Sequence, residues 1–112
     1  KNLYLLKNFI KHDDKRRTLY DYAQGDFKSA KVVVAKEAIP VGDHYHKKKD
    51  EIFFLLQGCF IELIVGKDVK RNVPAPYVVV VNRGIYHKFI LEPGSILCGV
   101  ATEPFDINDE LK

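Results

Sequence analysis

Apolar residues in this chain gather in short runs, each cut off by turn chemistry, and helical heptads are absent. Thr18 to Ala23 alternates aromatic and polar side chains until Gln24-Gly25-Asp26 breaks it. Lys31 to Glu37 carries three consecutive valines and gives way to Ile39-Pro40-Val41-Gly42-Asp43, which reads as a loop. Glu51 to Gln57 is nearly all apolar and stops at Gly58, and Phe60 to Val65 stops at Gly66-Lys67-Asp68. Two prolines make Asn72 to Pro76 a loop or a sheet edge. Tyr77 to Val81, rich in β-branched residues, ends at the Asn82-Arg83-Gly84 turn. His87 to Leu91 and Ser95 to Ala101, parted by Glu92-Pro93-Gly94, complete the series. With an opening apolar stretch at Leu3 to Leu6 and one helical turn expected near Asn108 to Leu111, the chain reads as all-β, with about eight or nine short strands.

The runs Ile52 to Leu56 and Tyr77 to Val81 are apolar at both parities, whereas a half-exposed strand alternates. Such strands are covered on both faces, either within the fold or by a second copy of the chain. A homodimer is therefore expected of so small a domain.

Composition narrows the function classes without naming one. A length of 112 residues is a single domain over 1–112, and 46% hydrophobic residues supply a core. Eighteen Lys and Arg against 15 Asp and Glu leave a net charge of +3, far from a nucleic-acid footprint. No apolar run has membrane-helix length and no signal-peptide pattern opens the chain, so neither nucleic acid nor membrane is an expected partner. The two cysteines, Cys59 and Cys98, suit a reduced, cytoplasmic chain; both are expected to be buried and inert, with redox sensitivity the alternative. A first residue of Lys1 and the absence of methionine point to a trimmed N-terminus.

The candidate chemistry lies in three of the four histidines. His44 and His46, one residue apart, share a strand face. Glu51 follows across the polar stretch Lys47-Lys48-Lys49-Asp50, which as a turn returns the carboxylate to the imidazoles. His87 comes from a distant strand. Three nitrogens and one oxygen form a set that divalent transition metals accept, with positions left for water or substrate. Iron, manganese, nickel, copper and zinc all suit it. His12, beside Asp13 and Asp14, reads as a surface residue.

Gly42-Asp43-His44-Tyr45-His46-Lys47-Lys48-Lys49-Asp50-Glu51, ending at Gly58, resembles the first motif of the cupins, and Asn82-Arg83-Gly84-Ile85-Tyr86-His87 resembles their second. The likeness spans roughly 31–101, leaving 102–112 as a polar tail. Ala38, Asn82 and Leu91 stand where the motifs usually have glycine, proline and asparagine. The resemblance implies a jelly-roll β-barrel with one divalent metal ion on His44, His46, Glu51 and His87. By parity it also implies a substrate-pocket wall of Phe53, Leu55, Phe89 and Leu91. Tyr45 and Tyr86 turn away from that pocket.

Within the superfamily, His-X-His-Lys-Lys followed by an apolar strand is most similar to the nucleotide-sugar 3,4-ketoisomerases and the related epimerases. That likeness implies a small carbohydrate substrate, His46 as catalytic base at a carbon beside a ketone, and Lys47 to Lys49, Arg83 and Lys88 meeting a diphosphate. Val41 and Val32 to Val34 stand where those enzymes carry an arginine and a catalytic tyrosine, and they generally lack the glutamate found here as Glu51. The alternatives are a metal-dependent oxygenase or lyase, and a non-catalytic module that binds a sugar or small acid.

Overall fold

The computed structural model describes residues 10–112. The apolar stretch at Leu3 to Leu6 lies outside them. Ten strands run in chain order: β1 (Ile10–Asp13), β2 (Thr18–Asp21), β3 (Ser29–Val34), β4 (Pro40–His44), β5 (Glu51–Gln57), β6 (Cys59–Val65), β7 (Asp68–Pro74), β8 (Tyr77–Val81), β9 (His87–Leu91) and β10 (Ile96–Ala101). A single 3₁₀ turn, Ile107–Asp109, follows. Among the described residues there is no α-helix, as the sequence pattern requires.

After the β1-β2 hairpin the chain builds two four-stranded antiparallel sheets, ordered β3-β10-β5-β8 and β4-β9-β6-β7. It crosses between them repeatedly, so residues far apart in sequence meet across the interior. Phe53, Leu55, Val79 and Leu97 of the first sheet pack with Phe60, Leu63, Phe89 and Leu91 of the second. Phe89 stands edge-on to Phe53 and to Phe60, with ring centroids 5.0 and 5.4 Å apart. Edge-on contacts of this kind add to plain area burial.

Two of the strands differ from the sequence pattern. Ile39 to Asp43, which reads as a loop, supplies most of β4, because Pro40 and Gly42 are tolerated on a strand that pairs on one side only. Asp68, which reads as part of a turn, opens β7, and the prolines near Pro74 fit the position of β7 at the far edge of its sheet.

The doubly apolar β5 is covered from within the chain. Tyr22 stacks on Phe54 at 5.0 Å and Tyr20 meets it at 5.1 Å, so the β1-β2 segment caps the outer face of the first sheet there. That cover does not reach β3. Val32 and Val34, on the same outer face by register with Cys98 and Ile96, are 64% and 59% exposed.

Candidate active site

A bulge in β4 builds the site. The β4–β9 register passes from Gly42↔Lys88 directly to His44↔His87, leaving Asp43 as the extra residue with φ 63°. The bulge brings His44 beside His87, and the chain beyond β4 then turns His46 inward again. Ring centroids are 4.5 Å apart for His44 and His46, 4.7 Å for His44 and His87, and 5.7 Å for His46 and His87. One nitrogen from each of the three imidazoles falls within 4.8 Å of the others. Gly42 makes this approach feasible: it holds φ 89°, and a Cβ there would stand 2.8 Å from His87 Cδ2.

Glu51 enters from the first sheet, wholly buried. Its Oε1 lies 3.3 Å from His46 Nε2 and 4.0 Å from His87 Nε2, while Oε2 faces Lys31 Nζ at 3.4 Å and Lys49 Nζ at 4.0 Å. The structure thus gathers all four expected site residues, with Glu51 shared between the imidazoles and two ammonium groups. Phe53 and Phe89 adjoin His87, with ring centroids 5.9 and 5.2 Å from it. Leu55 and Leu91 are fully buried in the core.

The tail contributes a residue that sequence spacing did not single out. Leu111 pairs with Tyr45 through both backbone hydrogen bonds, strapping 106–111 across the site. The carbonyl of Asp109 accepts from His46 Nδ1 at 2.8 Å, and the Asp109 carboxylate accepts from the backbone N–H groups of Lys47 and Lys48. The carbonyl can only accept, so Nδ1 carries a proton, and Nε2 is the ring nitrogen that faces Glu51 Oε1. Asp50, also unremarked in the sequence, is buried and ties the two halves of the site together. Its carboxylate accepts from the Arg83 backbone N–H at 2.8 Å and from the Arg83 guanidinium. Arg83 is thereby held in place rather than left free. The lysine run is only in part a solvated turn: Lys47 and Lys48 are exposed, but Lys49 is buried. Tyr86 hydrogen-bonds through its hydroxyl to Asp43, away from the imidazoles.

Electrostatics favour the neutral form of His44 and His87. Burial, followed by the nearby His44, His46, Lys31 and Lys49, pushes His87 down to about 3, and burial followed by His46 lowers His44. The folded His87 therefore binds fewer protons than the unfolded chain below the ordinary value of 6.5. Its contribution to stability is complete above pH 6.5 and is lost as pH falls toward 3, with a slope of up to about 1.4 kcal/mol per pH unit. Urea midpoints measured in EDTA are expected to fall between pH 7 and pH 5, and the fall is expected to shrink in His87→Leu; a pH-independent midpoint would contradict this assignment.

The donor set suits a metal ion. Glu51 Oε1 and His87 Nδ1 are buried without a hydrogen-bond partner among the described residues. His46 Nε2 and Glu51 Oε1 are two electron-pair donors facing each other, an arrangement that a shared cation relieves. Metal–ligand bonds of about 2.0–2.2 Å place adjacent donors on the order of 3 Å apart, and His46 Nε2 and Glu51 Oε1 stand 3.3 Å apart.

No protein-family profile matches the chain, and no curated protein matches it. Solved structures do. The QdtA 3,4-ketoisomerase from Thermoanaerobacterium thermosaccharolyticum, a double mutant in complex with TDP, aligns with a TM-score of 0.78 and 24% identity over 98% of this chain and 86% of that one. The chain has the cupin-type jelly-roll fold. A 3,4-ketoisomerase from Helicobacter canadensis aligns with a TM-score of 0.76 and 19% identity, covering 93% of this chain and 86% of that chain. NovW, a 4-keto-6-deoxy sugar epimerase from Streptomyces spheroides, gives 0.74 and 15% over 98% of this chain and 73% of that one. At these identities the likeness is one of fold.

Cys59 and Cys98 are free thiols and only half-buried, not buried as the sequence pattern leads one to expect. Burial, then Glu92, raises the Cys59 thiol above its ordinary value, which disfavours the reactive thiolate.

Proposed function

We propose that this cupin is an isomerase or epimerase of a carbohydrate or nucleotide sugar, and that His44, His46, Glu51 and His87 form a divalent-metal site. The observation that carries the first part is the orientation of His46. Its Nδ1–H is fixed on a backbone carbonyl, so a buried Nε2 lone pair faces the centre of the cluster, where a base is needed to take a proton from a carbon beside a ketone. The cupin fold shared with sugar ketoisomerases and epimerases raises the standing of that chemistry.

The observation behind the second part is the convergence of three imidazoles, two of which, His46 and His87, also face a carboxylate oxygen without a hydrogen-bond partner. A divalent ion held there supplies Lewis acidity toward a carbonyl or hydroxyl oxygen. The chain's own residues do the rest. Phe53 and Phe89 keep water from the His87 side, Asp109 orients His46, and Asp50 clamps the Arg83 turn that leads into His87.

His46 Nε2 cannot serve as base and metal ligand at once: it is a ligand where an ion occupies it and the base where none does, so the two parts of the proposal are tested separately. Deuterium from solvent is expected to enter a keto-sugar nucleotide in the presence of the protein, with no oxygen consumed. Oxygen uptake without exchange would replace this reading with the oxygenase. A raised melting temperature with a sugar but no exchange would replace it with a binding module.

The exposed outer face of β3 is proposed to pair with a second copy of the chain. Wild-type protein is then expected to sediment as a dimer, and Val32→Glu with Val34→Glu as a folded monomer; a wild-type monomer at high concentration would exclude the pairing.

A further inference from the structure

Lys49 is only 6% exposed, yet its ammonium group makes no hydrogen bond among the described residues, and its ion contact is a 4.0 Å approach to Glu51 Oε2. Lys49 Nζ is not itself among the sealed, unpartnered polar atoms, and the side chain borders an open cavity. The same carboxylate oxygen is met more closely by Lys31 Nζ at 3.4 Å, and Oε1 of that carboxylate faces the imidazoles. Two positive charges therefore share one negative charge, leaving a surplus of one.

The register of the first sheet explains how Lys31 reaches this point. Lys31, Gly99 and Phe53 lie side by side on β3, β10 and β5. A Cβ at Gly99 would stand 3.0 Å from the Phe53 ring and 3.6 Å from Lys31 Cε. The missing side chain leaves a channel for the lysine stem, which ends with Nζ 5.4 Å from the Phe53 ring centroid. Lys31, Lys49, Ser29, Gly99 and Phe105 line a cavity of about 120 Å³. That is room for several waters, and so for a carboxylate group.

We propose that this cavity is a carboxylate-binding subsite, in which Lys49 and Lys31 hold the carboxylate of a small organic acid or an acidic sugar next to Glu51. The surplus of one positive charge matches a carboxylate monoanion better than a phosphate dianion. The subsite stands on Lys31, Lys49 and the cavity, and needs neither a metal ion nor the isomerase reading.

The test uses the ¹⁵N-labelled full chain in EDTA at constant ionic strength, titrated separately with acetate, glucuronate and phosphate. The amide signals of Lys49 and Gly99 are expected to shift saturably with acetate and glucuronate, and more weakly with phosphate. Lys31→Met is expected to weaken binding at least about tenfold, Lys47→Met at the exposed neighbouring lysine to leave it unchanged, and Glu51→Gln, which removes the competing carboxylate, to tighten it. Lys49→Met is expected to abolish binding; should that variant fail to fold, Lys31→Met and Glu51→Gln decide the question. Saturation by both acids supports a general carboxylate site, and saturation by glucuronate alone supports an acidic sugar. Non-saturating shifts with both acids, equal loss in Lys31→Met and Lys47→Met, or phosphate binding more tightly than either acid would overturn the proposal.

Discussion

His46→Asn is expected to lower turnover of a keto-sugar substrate by about 10²–10⁴-fold while leaving the protein folded. The asparagine amide places an N–H near the position of Nδ1, so the Asp109 carbonyl keeps a donor and the strap over 106–111 keeps its anchor. What is removed is Nε2, the atom that faces Glu51 Oε1 and the other two imidazoles. A loss confined to turnover, with melting temperature and substrate affinity little changed, identifies His46 as the base. Asp109→Ala is the useful comparison. It keeps the backbone carbonyl but removes the carboxylate that holds the N–H groups of Lys47 and Lys48, so a smaller loss in turnover is expected with a looser tail. Full activity in His46→Asn would remove this residue from the chemistry.

Gly42→Ala is expected to destabilise the fold by about 2–4 kcal/mol and to disorder the imidazole cluster with it. Two costs combine. The backbone at φ 89° disfavours any residue with a Cβ, and that Cβ would lie 2.8 Å from His87 Cδ2 and 3.1 Å from the His87 carbonyl oxygen. A flexible side chain could swing aside, but the carbonyl belongs to β9 and is fixed by the sheet. Gly84→Ala separates the two terms, because Gly84 has φ 78° and nothing within 4 Å of the added carbon. Its cost is expected to be the backbone term alone, about 1 kcal/mol. Urea midpoints of the two variants measure the difference, and equal midpoints would show that His87 yields without cost.

Much of this site was legible in the sequence because it obeys local parity. His44 and His46 share a face, Glu51 opens the apolar β5, and His87 opens β9 after a glycine turn. What escaped notice depends on register between distant strands or on backbone groups. Lys31 reaches Glu51 only because β3, β10 and β5 align it with Gly99 and Phe53. Asp109 holds His46 through its carbonyl oxygen, an atom that every residue possesses, so no side-chain pattern marks it. Strand β4 hid behind proline and glycine because an edge strand tolerates both. The apolar pattern of β5 left open which surface covers its outer face, and the aromatic pair Tyr20 and Tyr22 supplies that cover over Phe54.

The metal content of tag-free protein tests the central claim most directly. Elemental analysis is expected to find about one divalent transition-metal ion per chain, and to find it lost in His44→Ala and His87→Ala variants that remain folded. Protein that carries no metal after growth in supplemented medium and takes up none on dialysis would contradict the assignment, as would metal retained undiminished in both variants.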